Sequence, residues 1–133
     1  MPEAPLVSIV EDDRFFRESM TRLLRSLGYS VQVFSSAAAF LDSSSLAITA
    51  VLITDIYMPV MNGLELYRTL ISTGRRIPTI LMTSYPNDDV EARALSEGVV
   101  CYLRKPLEEQ HLVRCLRTAL KSGEGTEKNV RVR

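Results

Sequence analysis

The sequence predicts an α/β fold built on a parallel sheet, and three observations support this prediction. Short apolar runs alternate along the chain with segments of helical period, as expected for βαβ units. Four of these runs, LVSIV, VLIT, TILM and VVCYLR, are followed by or end on a polar or charged residue. Glycines separate several helical segments from the next run. We therefore expect buried neighbouring strands whose carboxyl ends share one edge, where open α/β sheets place their ligand crevice.

The bulk composition indicates one globular domain and excludes several classes of protein. A chain of 133 residues is long enough to bury a core. Its 16 basic and 16 acidic residues cancel, so charge alone predicts neither a nucleic-acid nor a membrane surface. The apolar run near the amino terminus is too short for a signal peptide or a membrane span. Cys101 and Cys115 are interpreted as small buried hydrophobic residues, and a reducing cytoplasm is the expected compartment.

The strands and the first helix follow from the position of the apolar residues. Five strands are expected, near residues 6–10, 30–34, 50–54, 78–82 and 99–103. The first helix should run from Arg14 to Leu27 and stop at Gly28, a residue that tolerates the left-handed conformation of a helix cap. Its apolar residues share one face: Phe16, Met20, Leu23, Leu24 and Leu27.

The remaining helices carry their own start and stop signals. Gly74 and Gly98 close the third and fourth helices, and Asn62 with Glu65 forms a capping box at the start of the third. The last helix begins after Pro106 and has an inward face of Leu112, Val113, Leu116, Ala119 and Leu120. We expect a single domain over residues 1–121, and a flexible tail or the start of an interdomain linker over residues 122–133.

Asp55, which closes the VLIT run, is the centre of the candidate site. Glu11 and Asp12 follow the first run, Thr83 follows TILM, and Lys105 follows VVCYLR. Three carboxylates facing one crevice would repel each other unless a cation lay among them. Hard oxygen ligands favour Mg²⁺ over zinc, for which thiolates and imidazoles are missing at these positions.

This set of residues indicates metal-assisted phosphoryl chemistry. A carboxylate can attack phosphorus and form an aspartyl phosphate if the charge on the transferring group is neutralised from several sides. The Lys105 ammonium can supply part of that neutralisation, and the Thr83 hydroxyl can donate a hydrogen bond to a phosphoryl oxygen.

Four motifs, IVEDD, LITDIYMPVMNG, ILMTS and YLRKP, resemble the receiver domain of two-component response regulators in order and in separation. The likeness covers about residues 5–121. It implies a flavodoxin-like (βα)5 fold whose parallel sheet has the strand order 2-1-3-4-5. It also implies that Asp55 accepts phosphate from a sensor histidine kinase or a phosphotransfer protein. Such a domain would be a signalling switch that catalyses only its own phosphorylation and dephosphorylation.

The resemblance implies a Mg²⁺ site made by Glu11, Asp12, Asp55 and the backbone carbonyl of Tyr57. In the register of the family pattern, Asp12 is the direct ligand and Glu11 acts through water. Asp13 then falls one place beyond the acid pair, where we interpret it as the N-cap of the first helix and keep it as a reserve ligand.

The resemblance also assigns the switch. Thr83 and Lys105 would be the switch residues, and Tyr102 the aromatic side chain that turns inward when Thr83 moves toward the phosphoryl group. The Lys105–Pro106 bond would be cis. Phosphorylation is expected to change the face made by the fourth helix, fifth strand and fifth helix, where a phosphorylation-dependent homodimer could form. Tyr57 and Tyr85 are bulky where they should overhang the pocket and obstruct water.

Three other classes of protein are alternatives to a signalling switch. A Mg²⁺-dependent aspartyl-phosphate hydrolase of the haloacid-dehalogenase type needs an Asp two residues after its nucleophile, and this position holds Tyr57. A flavodoxin-like FMN binder would offer hydroxyls and glycines to a phosphate, whereas this first loop offers carboxylates. A degenerate receiver acting as an interaction module would lack site residues that are present here.

His111, the only histidine, is expected to be exposed. The chain is expected to be a single-domain regulator or a receiver from a longer protein, with DNA bound only through an output domain.

Overall fold

The computed structural model describes residues 4–132, and it describes side chains for residues 4–122. Five strands alternate with five α-helices, and a short 3₁₀ helix, Ser44–Ile48, precedes the third strand. The strands are β1 (Leu6–Val10), β2 (Ser30–Phe34), β3 (Val51–Asp55), β4 (Thr79–Thr83) and β5 (Cys101–Arg104). The helices are α1 (Arg14–Ser26), α2 (Ala37–Leu41), α3 (Gly63–Ser72), α4 (Asp88–Ser96) and α5 (Glu109–Val132).

The strands form one parallel sheet in the order β2-β1-β3-β4-β5. Apolar side chains of α1 and α5 pack on one face of the sheet, and those of α2, α3 and α4 pack on the other. The predicted flavodoxin-like three-layer architecture is therefore confirmed. Because the connections are all crossovers, the carboxyl ends of the five strands lie at one edge.

Two strands extend one residue further than the apolar runs predicted. β3 includes Asp55, which pairs with Met82, and β4 includes Thr83, which pairs with Arg104. β5 begins at Cys101, later than the expected residue 99. An apolar run reports which side chains are buried, whereas a strand is defined by backbone hydrogen bonds that a polar residue forms equally well.

The first helix ends one residue before the predicted position, and its last apolar residue does not join the core. Leu27 is the C-cap of α1 and is 36% exposed, whereas the other four residues of the predicted face belong to the core cluster or pack against it. The backbone turns at Gly28 with a φ of 96°, the left-handed conformation expected for the glycine that follows the helix.

The start of α3 is fixed against the end of β3 by close backbone packing. Asn62 and Glu65 form the predicted capping box, with side-chain to backbone distances of 2.8 and 2.9 Å. Gly63 donates its N–H to the Ile56 carbonyl, and a Cβ at this position would lie 2.3 Å from the Asp55 carbonyl oxygen. Only glycine allows the helix to begin this close to the candidate site.

Several remaining expectations concern residues outside the site. Cys115 is buried and Cys101 is half-buried, and burial together with the neighbouring Cys101 thiol raises the pKa of Cys115 to about 12. His111 is exposed, as expected. No helix in the described part of the chain is both long enough and apolar enough to span a bilayer. The predicted tail, residues 122–133, lies beyond the described side chains except for Ser122, and it stays a prediction.

Candidate functional site

Charged side chains from three strand ends meet at the carboxyl edge of the sheet. Glu11, Asp12 and Asp55 each offer a carboxylate oxygen, and these oxygens lie within 4.8 Å of one another. The Lys105 ammonium donates to Glu11 Oε1 at 2.5 Å and to Asp55 Oδ2 at 3.4 Å. We refer to Glu11, Asp12, Asp55 and Lys105 as the acidic pocket. The structure thus brings together the acids and the lysine that the strand-end pattern singled out.

Glu11 is the most deeply buried carboxylate of the pocket, with 1% of its surface exposed. Burial, with a smaller contribution from the Asp55 charge, raises the pKa of Glu11 to about 7, against the opposing effects of Lys105 and of the Asp13 amide. Burial alone would lower the pKa of Lys105, but the hydrogen bond to Glu11 and the two carboxylate charges outweigh it and raise that pKa. The pocket therefore contains more negative charge than one ammonium neutralises.

Asp12 and Asp13 have the different environments that the register argument predicted. Asp12 is exposed and lies within the carboxylate cluster. Asp13 is the N-cap of α1, because its Oδ1 accepts from the Phe15 amide at 2.9 Å and from the Phe16 amide at 3.3 Å. Its carboxylate is used by the helix, and the N-cap interpretation is confirmed.

Thr83 lies at the end of β4 and is completely buried. Its hydroxyl oxygen accepts the Tyr85 amide at 2.9 Å, and its carbonyl accepts the Lys105 amide at 2.8 Å. The Lys105–Pro106 bond is cis, as the resemblance implied. Backbone pairing therefore holds the threonine and the lysine in fixed register at the edge of the sheet.

The Tyr102 ring is buried in this structure, with 6% exposed, and it packs in an apolar cluster with residues of α3 and α4. Its hydroxyl accepts the backbone N–H of Asn87, the N-cap of α4, at 3.0 Å. Thr83, Tyr85, Asn87 and Tyr102 thus join the ends of β4 and β5 to the start of α4, and we refer to them as the α4 latch. The expected movement of this ring on activation stays a prediction.

Tyr57 and Tyr85, which follow Asp55 and Thr83 by two residues each, form an aromatic pair. Their ring centroids are 5.9 Å apart at an interplanar angle of 79°, an edge-to-face arrangement. Both rings remain accessible, with 46% and 72% exposed. The pair links the β3–α3 loop to the β4–α4 loop.

Two contacts at the site had no signal in the sequence. The Lys105 ammonium lies 4.2 Å from the centroid of the Phe16 ring, although the apolar pattern marked Phe16 only as a core residue. Arg104 donates to Asp88 and to Glu91 of α4, at 3.1 and 3.2 Å. In both cases the partners are far apart in the chain, so no local pattern could have revealed the contact.

Comparisons with known proteins agree with this geometry. A family model described as response regulator receiver domain matches residues 7–117. The response regulator protein TodT of Pseudomonas putida is 36% identical over 118 residues, which cover 89% of this chain and 52% of that protein. The transcriptional regulatory protein FixJ of Azorhizobium caulinodans is 34% identical over 120 residues, covering 90% and 57%. The chain spans about half the length of the curated relatives it matches.

Solved structures show the same similarity. The crystal structure of FixJ-N superimposes with a TM-score of 0.79 at 31% identity, covering 91% of this chain and 96% of that one. The low-resolution structure of response regulator StyR gives a TM-score of 0.87 at 31% identity, covering 97% and 65%. The chain therefore belongs to the family of response regulator receiver domains, the phosphorylation-based switches of two-component signalling.

Proposed function

We propose that Asp55 accepts a phosphoryl group from a histidine kinase or phosphotransfer protein, in a Mg²⁺-dependent reaction, and that the phosphorylated domain relays the signal by a conformational change. The observation that carries this proposal is the position of Asp55. It is a nearly buried carboxylate at the end of the central strand, within 3.4 Å of the Lys105 ammonium and inside a cluster of carboxylate oxygens.

The residues of the acidic pocket fit a hard divalent cation. The donors are carboxylate oxygens, the ligands that hard divalent cations prefer, and three carboxylates surround the single Lys105 ammonium. In the described residues, no backbone N–H donates to the Tyr57 carbonyl, which leaves it available as a further oxygen ligand. Glu11, Asp12, Asp55 and the Tyr57 carbonyl would hold Mg²⁺. When bound, the ion would neutralise charge on the transferring phosphoryl oxygens.

The side chains around Asp55 have separate tasks in this proposal. The Asp55 carboxylate is the nucleophile that forms the acyl phosphate. The Lys105 ammonium, held between Glu11 and Asp55, stabilises the negative charge that develops beside it. The Thr83 hydroxyl already accepts a hydrogen bond from the Tyr85 amide, so its own proton is the group it can donate to a phosphoryl oxygen.

A change at Thr83 has a structural route to the surface. Thr83 and Tyr102 both contact the loop before α4, one through the Tyr85 amide and the other through the Asn87 amide. We propose that phosphorylation shifts the population of the α4–β5–α5 face, where a phosphorylation-dependent homodimer could form. The matched relatives include transcriptional regulators, and contact with DNA would require an output domain outside the receiver domain.

The rival functions predict different chemistry. A hydrolase of the haloacid-dehalogenase type would need a second carboxylate at the position of Tyr57, whose ring instead packs against Tyr85. An FMN phosphate would face the carboxylates of the acidic pocket. A degenerate receiver that acts only as an interaction module would accept no phosphoryl group, and the experiment below distinguishes it directly.

The test is intact-mass analysis after incubation with acetyl phosphate and Mg²⁺. We expect one added phosphoryl group on the parent chain, lost slowly after the donor is removed, and none on Asp55→Asn. Asp13→Asn is the matched control, because asparagine caps a helix as well as aspartate and this variant should still be phosphorylated. An adduct that persists in Asp55→Asn would show that another residue is the acceptor. A parent chain without any adduct would favour the interaction module, and rapid turnover of the donor would favour the hydrolase.

A further inference from the structure

We infer that Phe16 is a positioning residue for Lys105, and that the face of its ring holds the ammonium beside Asp55. This inference rests on the proposed function, because it assigns a role only if Lys105 acts on a phosphoryl group at Asp55. It concerns a side chain that the sequence pattern marked simply as part of the α1 core face.

The geometry is that of a cation–π contact in a largely desolvated place. The Lys105 nitrogen lies 4.2 Å from the ring centroid, inside the range of about 6 Å in which a ring attracts a cation. Only 13% of the lysine side chain is exposed. An ammonium has three N–H groups, and Glu11 and Asp55 are the oxygen partners that the described residues provide. The ring is therefore a third neighbour, one that carries no oxygen.

The contacts of Lys105 with the two carboxylates differ in length, and this difference makes the contact with the Phe16 ring important. The Lys105 nitrogen lies 2.5 Å from Glu11 Oε1 but 3.4 Å from Asp55 Oδ2, the side chain beside which it acts in the proposed reaction. Glu11 is also a proposed metal ligand, so a bound cation and Lys105 compete for the same carboxylate. The attraction of the ring quadrupole for the ammonium needs neither carboxylate. Phe16 is thus the contact that keeps Lys105 in place when Glu11 faces a cation.

The ring itself is held by the start of α1. The Asp13 carboxylate accepts the backbone N–H of Phe16 at 3.3 Å, which fixes the first helical turn beside the pocket. The neighbouring Phe15 is 81% exposed and provides a matched comparison, since it has the same side chain on the same helical turn. A leucine at position 16 would retain apolar contact but lose the π face.

The decisive experiment measures the rate of phosphorylation by acetyl phosphate. We expect Phe16→Leu to be slower than the parent chain by between about threefold and tenfold, the range expected for a partly desolvated cation–π contact. Phe16→Tyr, which keeps the ring face, should restore the parent rate, and Phe15→Leu should leave it unchanged. The affinity for Mg²⁺ should be the same in all four proteins. Equal rates for Phe16→Leu and the parent chain would overturn the inference and leave the proposed function intact.

A second measurement needs no phosphodonor. In the parent chain the ε-CH₂ signals of Lys105 should be shifted upfield by the ring current of Phe16, and Phe16→Tyr should preserve the shift. Ordinary lysine shifts in the parent chain would overturn the inference even if the Phe16→Leu variant were too unstable for kinetics. A parent chain that shows the shift but accepts no phosphoryl group would instead overturn the proposed function, and with it the role of Phe16.

Discussion

The acidic pocket and the α4 latch lie at the same edge of the sheet, but their polar groups differ in how far they are balanced by partners. The pocket gathers carboxylates around a single ammonium, and burial, together with the neighbouring Asp55 charge, raises the pKa of its Glu11 to about 7. In the latch, by contrast, the Thr83 and Tyr102 hydroxyls each accept a backbone amide at ordinary distances. Among the described residues, no buried side-chain nitrogen or oxygen is without a hydrogen-bond partner.

This difference suits the acidic pocket to chemistry and the α4 latch to conformational change. A pocket with uncompensated negative charge gains stability from any cation that enters it, so its free energy favours binding. A latch whose hydrogen bonds are satisfied resists movement, because a new bond at Thr83 has to compete with contacts that already exist. Four predictions test this difference between the pocket and the latch, and the first concerns the largest expected effect.

The first prediction concerns how the stability of the metal-free protein depends on pH. The folded-state pKa of Glu11 is about 7, above its ordinary value of 4.5, so the folded chain binds this proton more tightly than the unfolded chain. The stability that the proton contributes is fully present below pH 4.5 and is lost as the pH rises through 7. We expect a loss of about 3 kcal/mol in the free energy of unfolding.

Urea denaturation in the presence of a chelator, at a series of pH values, measures this loss. The difference between the parent chain and Glu11→Gln isolates the titration of Glu11 from that of other groups. The variant should lack this fall in stability, and saturating Mg²⁺ should reduce it in the parent chain. If the stability of the two proteins depended on pH in the same way, the raised pKa of Glu11 would be contradicted.

The second prediction compares neighbouring acids. Asp12→Ala should lower the affinity for Mg²⁺ at least tenfold, because it removes an oxygen of the cluster. Asp13→Ala should change the affinity little but lower stability by about 1 kcal/mol, since it removes the α1 cap. Calorimetric titration and thermal unfolding of both variants provide the measurements. A greater loss of metal affinity in Asp13→Ala would mean that the register is wrong by one residue.

The third prediction tests the latch with beryllofluoride and Mg²⁺, which mimic a phosphoryl group on Asp55. In the parent chain we expect amide NMR shifts across residues 84–104 and a movement of the buried Tyr102 ring. Thr83→Ala should bind the mimic but show much smaller shifts, whereas Thr83→Ser, which keeps the hydroxyl, should respond like the parent chain. A full response in Thr83→Ala would show that the coupling runs through other residues.

Tyr102→Phe adds a control on the other side of the latch. It removes the hydroxyl that accepts the Asn87 amide, at an expected cost of about 1 kcal/mol. Hydrogen exchange at Asn87 should accelerate even without the mimic. Unchanged exchange there would show that the Tyr102 bond does not restrain α4.

The fourth prediction concerns the aromatic pair that connects the two regions. Tyr57 and Tyr85 should slow loss of the phosphoryl group, because hydrolysis needs a water molecule in line with the departing Asp55 oxygen. Replacing both with alanine should speed dephosphorylation a few-fold. Because the rings touch, the effects of the single variants should not add up to that of the double variant. Unchanged or slower loss in the double variant would reject this role.

The positions of the site residues were readable from the chain because they depend on local rules. Apolar runs mark buried strands, and parallel strands bring their carboxyl ends to one edge. Asp55, Thr83 and Lys105 could therefore be placed near one another before any distance was known. Helix caps followed in the same way, since the Asp13 cap and the Asn62–Glu65 box involve residues only two or three positions apart.

Tertiary structure decided what depends on approach between distant residues and on exclusion of water. The sequence alone determined the fold class, the number and approximate position of the strands, and the set of charged residues at the site. It did not determine the hydrogen bond between the Asn87 amide and the Tyr102 hydroxyl, because these residues belong to different elements. Nor did it determine the contact between Phe16 and Lys105 or the raised pKa of Glu11. The distance between Phe16 and Lys105 and the burial of Glu11 away from water are both set by tertiary packing. They exist only once the helices and the sheet have packed together.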